Sequence, residues 1–211
     1  MKVSQVADRV CLVEYPNNYL LAMTFMRIQE FYECPIPGFR GHYFTVEEFM
    51  DAYAKEYGVF DYPKWDGFNV PGNVVRDFFD TFHDLGTKET RLHEAVQPMI
   101  EQFGDQFYLI GTVENATDIL LHESAHAFYY LDPDYRQTMD EMTEEWEHSE
   151  AFGEALVAKG YCEDMIPDET QAYLATSEDE YLVKKLKFEH PRPRRYADVF
   201  LLRFKDRSER Q

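Results

Sequence analysis

The stretch Asp118–Arg136, DILLHESAHAFYYLDPDYR, places His122, Glu123 and His126 in the order H-E-x-x-H. Residues four apart on an α-helix lie one turn apart on one face, so both imidazoles can reach a single ion. Neutral imidazole nitrogens bind zinc at about 2.0–2.1 Å, and a catalytic zinc adds a third protein ligand and a water whose pKa falls to about 7. A glutamate between the histidines can take the proton of that water as general base. These residue types at this spacing point to metal-assisted hydrolysis.

The pentapeptide alone is a weak signal, since a random shuffle of this composition would produce it roughly 0.02–0.03 times. Its flanks strengthen it. Leu120, Leu121, Ser124, Ala125, Ala127 and Phe128 are all uncharged, so the helix is expected to be largely buried. Two histidines and a carboxylate without partners would be costly there, and a bound ion removes that cost. The competing explanation is a histidine pair and a carboxylate satisfied by internal hydrogen bonds. Two ligands on one helix cannot close a site, so a third must come from farther along. The segment from about Pro133 to Lys159 supplies Glu141, Glu144, Glu145, Glu147, His148, Glu150 and Glu154, with Glu150 and Glu154 in EHSEAFGEAL the main rivals, and the segment beyond Gly160 reads YCEDMIPDETQAYLATS.

The H-E-x-x-H at 122–126, followed by D-E-x-x-A-Y at Asp168-Glu169-Thr170-Gln171-Ala172-Tyr173, resembles the gluzincin group of zinc metallopeptidases. The resemblance spans about residues 118–175. It implies that His122 and His126 are zinc ligands, that Glu123 is the general base, and that Glu169, on a second helix beneath the substrate cleft, is the third ligand. In that group an acidic residue four positions after the ligand glutamate orients a ligand histidine. This chain has Tyr173 there. Its hydroxyl can accept an imidazole N–H or point at the substrate oxyanion, with Asp168 as a substitute orienter. The implied function is a zinc-dependent peptidase acting on peptides or a protein, with Glu123 and Tyr173 as catalytic candidates. Tyr129, Tyr130 and His148 compete with Tyr173 to stabilise the oxyanion. The alternative is a catalytically silent peptidase-like module that binds metal and a protein partner. The intact Glu123 favours turnover.

Several elements must position these groups. VCLVEY (10–15) and QFYLIGTV (106–113) read as strands, and the second leads directly into the H-E-x-x-H helix, with Asn115 as its expected cap. NNYLLAMTFMRIQEFYE (17–33) reads as a helix opened by an Asn cap. FTVEEFMDAYAKEYG (44–58) carries a capping box, Thr45 with Glu48, and a stop at Gly58. Residues 74–85 and 89–103 look helical, with Pro98 a kink or break. A helix is expected from about Pro133 to Lys159. The aromatic, turn-rich VFDYPKWDGFNVPG (59–72) reads as a loop or irregular hairpin packed onto the body. The fold class expected is α+β: a mostly helical, zincin-like body with a small sheet, forming a single domain over 1–211.

Composition bounds the rest. With 45% hydrophobic and 16% aromatic residues the chain can build a packed core. No apolar run approaches the roughly 18 residues of a membrane span, and the N-terminus lacks a signal-peptide pattern, so a soluble, cytoplasmic protein is expected. Three widely spaced cysteines argue against a disulfide framework. The net charge is -19, yet Lys184–Gln211 carries ten Lys/Arg against four Asp/Glu, leaving 11 against 36 elsewhere. Such an acidic body disfavours nucleic acid and anionic membrane, and points either to good solubility, the more common consequence, or to a cationic substrate or partner. The basic C-terminal segment either folds back over the cleft or, through VFLLRF (199–204), completes the core.

Overall fold

The computed structural model describes residues 1–208 and shows an α+β protein, with ten α-helices and a four-stranded mixed sheet among them. The chain divides into two compact units, Met1–Ala116 and Thr117–Gln211.

The first unit holds the whole sheet. Strands β1 (Lys2–Ala7), β2 (Val10–Tyr15), β3 (Gly67–Pro71) and β4 (Tyr108–Val113) lie in the order β1-β2-β4-β3. β2 and β4 pair in parallel, Val10 opposite Tyr108 through Tyr15 opposite Val113, while β1 and β3 flank them antiparallel. β2 and β4 are near-continuous apolar runs because both are interior strands. Helix α1 (Asn18–Glu33) crosses the sheet. Its cap is Asn17, whose side chain accepts from Leu20 N–H. Phe25 of α1 sits so close to Gly111 of β4 that a Cβ there would meet its ring at 2.6 Å. Helices α2 (Val46–Tyr57), α3 (Gly72–Thr81) and α4 (Thr87–Phe103) complete an aromatic core containing Phe25, Phe49, Phe78 and Phe82.

The Thr45–Glu48 capping box and the left-handed Gly58 stop form as the sequence predicts. Pro98 stays inside α4 without ending it. Two expectations change. The segment 59–72 contributes a strand, β3, and a short 3-10 turn at Tyr62–Lys64. Asn115 has φ 66, a left-handed turn conformation unlike the extended backbone of an N-cap.

The second unit is helical: α5 (Thr117–Leu131), α6 (Pro133–Glu144), α7 (Ser149–Lys159), α8 (Ile166–Thr176), α9 (Asp179–Leu186) and α10 (Arg195–Ser208). The single helix expected over 133–159 is instead two, interrupted at 145–148, where Trp146 turns its ring onto Phe152 and Phe188. α5 and α8 pack directly on each other, and α10 covers α8. Tyr196 and Phe200 of α10 are buried, and Phe200 lies 5.9 Å from the Phe128 ring of α5. The basic C-terminal segment, described through residue 208, therefore forms part of this unit's core. No helix among the described residues is long and apolar enough to cross a membrane.

Candidate metal centre

Small residues let α5 and α8 approach: Ser124, Ala125 and Ala127 of α5 and Ala172 and Ala175 of α8 are all buried. The approach brings the motif residues together. Nitrogen and oxygen atoms of His122, His126 and Glu169 all lie within 4.8 Å of one another. His122 Nε2 is 3.4 Å from His126 Nε2. Glu169 Oε1 is 3.7 Å from His126 Nε2, and its Oε2 is 3.9 Å from His122 Nε2. His126 and Glu169 are buried, whereas a fifth of the His122 side chain reaches solvent.

The partners of the outer nitrogens decide which edges face inward. Thr176 Oγ1 donates its hydrogen to Ala172 O at 2.7 Å. It can therefore only accept from His122 Nδ1, 3.2 Å away, which places the proton on Nδ1 and a lone pair on Nε2. His126 Nδ1 faces Asp168 Oδ1 at 2.9 Å, a close charged contact outside ideal hydrogen-bond angles. The carboxylate holds a proton on that nitrogen as well. Gln171 Nε2 donates to the same Asp168 oxygen at 2.9 Å, and Tyr135 Oη donates to Gln171 Oε1 at 2.9 Å. Gln171 and Tyr135 are fully buried, so the relay Tyr135–Gln171–Asp168–His126 is rigidly packed.

Two Nε2 edges thus converge at 3.4 Å with a carboxylate beside them. Ligands about 2.05 Å from a tetrahedral zinc are spaced by about 3.4 Å, so the donor atoms and their separation fit that ion. Without it, a proton between the imidazoles satisfies the same edges. Burial alone would lower the His126 imidazole, but Asp168, Glu169 and Glu123 outweigh it and raise it to about 10. Burial and the neighbouring His126 charge hold His122 well below its ordinary value. Beyond the two Nδ1 protons, the pair therefore shares one further proton between its Nε2 edges at neutral pH, and a metal ion must displace it.

Glu123 is buried on α5, close enough to His126 and Tyr173 to be felt by both. Tyr173 lies with its ring 4.8 Å from that of His122. Its hydroxyl takes a hydrogen bond from Lys159 Nζ and shares another with Tyr161 Oη at 3.0 Å. Burial first, then Glu169, raises its pKa, so it stays a neutral phenol. The residue against the outer nitrogen of His122 is thus Thr176, and that against the outer nitrogen of His126 is Asp168. Thr176 had a legible signal, lying seven residues, or two helical turns, after Glu169. Glu150 and Glu154 are exposed on α7 and outside the cluster. Of the remaining oxyanion candidates, Tyr129 donates to Asp140 at 2.5 Å and His148 stacks on His190 at 3.9 Å.

Comparison of the chain with protein-family models, curated proteins and solved structures finds no match.

Proposed function

We propose that the second unit is a zincin-like, zinc-dependent peptidase centre, with His122, His126 and Glu169 as ligands and Glu123 as general base. The observation that carries this reading is the convergence of two Nε2 lone pairs, each fixed by a partner on its Nδ1, upon one carboxylate. Metal-ligating histidines almost always donate the other ring N–H to such a partner, and both imidazoles here have one. A zinc ion held there would polarise the scissile carbonyl and lower the pKa of a bound water to about 7.

The chain's residues supply the remainder. Glu123 accepts the proton of the attacking water and returns it to the leaving nitrogen. Asp168 and Thr176 keep both imidazoles aimed inward. Tyr173, next to His122 and kept neutral by burial, is placed to donate toward a developing oxyanion. The substrate is a peptide or protein, and the acidic composition favours a cationic one overall.

The test compares zinc-loaded wild type with Glu123→Gln across a diverse peptide library. Hydrolysis by wild type, lost by at least about 100-fold in a variant that still holds zinc, supports the peptidase. Zinc binding with no turnover by either protein supports the silent metal-binding module instead.

A further inference from the structure

Lys159 ends α7, and the left-handed Gly160 then turns the chain so that Tyr161 follows it back toward α8. Lys159 is exposed as a residue, and its ammonium lies over two rings, 4.9 Å from the Tyr173 centroid and 5.6 Å from that of Tyr161. Tyr173 stands between this ammonium and His122, whose ring centroid is 4.8 Å away. Lys159 is near enough to be felt by both His122 and Glu169.

Asp and Glu outnumber Lys and Arg 40 to 21. Three arginines of the unit have close partners: Arg203 pairs with Asp132 at 3.2 Å, Arg195 with Glu145 at 3.7 Å, and Arg192 donates to Leu174 O at 2.8 Å. Among the described residues no carboxylate lies within ion-pair distance of Lys159, whose one hydrogen-bond partner is the neutral Tyr173 phenol. A second ammonium, Lys185 of α9, is close enough to repel it. Tyr181, one turn before Lys185 on α9, stacks against Tyr173 at 6.2 Å. Glu169 attracts Lys159 more than Lys185 repels it, yet among the described residues neither ammonium has a carboxylate within ion-pair distance, so an anion placed between them would gain from both.

We propose that Lys159 and Lys185, walled by Tyr161, Tyr173 and Tyr181, form a subsite for a substrate carboxylate beside the metal centre. The inference rests on the peptidase reading for its substrate class. The two ring contacts place the Lys159 ammonium within about three residue lengths of extended chain from the His122 imidazole. The carboxylate belongs to the residues next to the scissile bond, and comes either from a free C-terminus or from an Asp or Glu side chain. The preference is local, a single anionic contact inside a substrate that the acidic chain otherwise favours as a cation.

The experiment measures peptide binding by calorimetry to zinc-loaded Glu123→Gln protein, which holds substrate without turnover. The probes are N-acetyl-trialanine as the free acid, the same peptide as the amide, and an amide in which one alanine is aspartate. A carboxylate peptide is expected to bind about tenfold tighter than the neutral amide. Lys159→Met should remove that difference, Lys159→Arg should restore part of it, and Lys185→Met should weaken it. Preference for the free acid assigns a C-terminal carboxylate, and preference for the aspartyl amide assigns a side chain. Equal affinities, no binding of any probe, or a preference that survives in folded Lys159→Met protein would overturn the subsite. Failure of the peptidase reading shows separately, as absent zinc or absent turnover in the wild type.

Discussion

Asp168 and Glu169 are neighbours in the chain, yet they meet opposite edges of one imidazole. Asp168 Oδ1 lies 2.9 Å from His126 Nδ1, and Glu169 Oε1 lies 3.7 Å from His126 Nε2. The two carboxylates therefore sit where their roles would separate: Asp168 meets the outer edge of the ring, and Glu169 lies beside the Nε2 edge where an ion would be held. Asp168→Asn is expected to weaken zinc binding about 10–100-fold, as loss of an orienting partner does elsewhere. Gln171→Leu, one bond farther out, should have a smaller effect in the same direction. Competition against a zinc chelator reads both, and unchanged affinity in Asp168→Asn would remove its positioning role.

Thr176 makes a parallel case for His122. Thr176→Val keeps the shape and removes the acceptor 3.2 Å from His122 Nδ1. Zinc affinity should fall several-fold, whereas Thr176→Ser, which keeps the hydroxyl, should stay near wild type. A Val variant with wild-type affinity would show that the contact is incidental.

A buried ion pair anchors the first unit. Arg27 meets Glu89 through two bonds of 2.7 and 2.6 Å, with both side chains nearly inaccessible, and Arg27 also reaches Asp84 at 3.1 Å. Arg27→Met leaves Glu89 buried without its counter-charge and should cost about 3–5 kcal/mol. Arg27→Met with Glu89→Gln should cost clearly less than the sum of the single changes. Urea denaturation measures the differences, and a loss under about 1 kcal/mol in Arg27→Met would contradict the pairing.

Alkaline pH should destabilise the first unit through Cys11. Burial raises its thiol to about 11, whereas in an unfolded chain it titrates at its ordinary value of about 8.5–9. Between those values the unfolded state has lost the proton and the folded state keeps it. Stability is therefore complete below about pH 8.5 and falls as pH rises toward 11, by at most roughly 3 kcal/mol. Cys11→Ala should flatten this part of the stability profile, as read by urea midpoints at pH 8, 9 and 10. An equally steep fall in the variant would assign it to other groups.

Much of this organisation is legible in the sequence where local chemistry decides. Asn17 and Thr45 with Glu48 announce their helices because capping depends on residues within one turn. β2 and β4 are apolar because they are interior strands. β1 is harder to see: KVSQVA is largely exposed, and its turn into β2 uses Arg9 at φ 60 in place of a glycine. The break between α6 and α7 contains neither Gly nor Pro, being set by the seat of Trp146 among distant aromatics. In the candidate metal centre, His122, Glu123 and His126 share a helical period and could be grouped from spacing. Lys159 could not, since it reaches Tyr173 only through the left-handed turn at Gly160.

The measurement closest to the central claim is zinc stoichiometry and affinity, by elemental analysis and chelator competition, in wild type, Glu123→Gln and Glu169→Ala. The geometry predicts one zinc per chain in wild type, an unchanged stoichiometry in Glu123→Gln, and markedly weaker binding in Glu169→Ala. Wild-type protein that takes up no zinc, or a folded Glu169→Ala variant that binds it as tightly as wild type, would contradict the assignment.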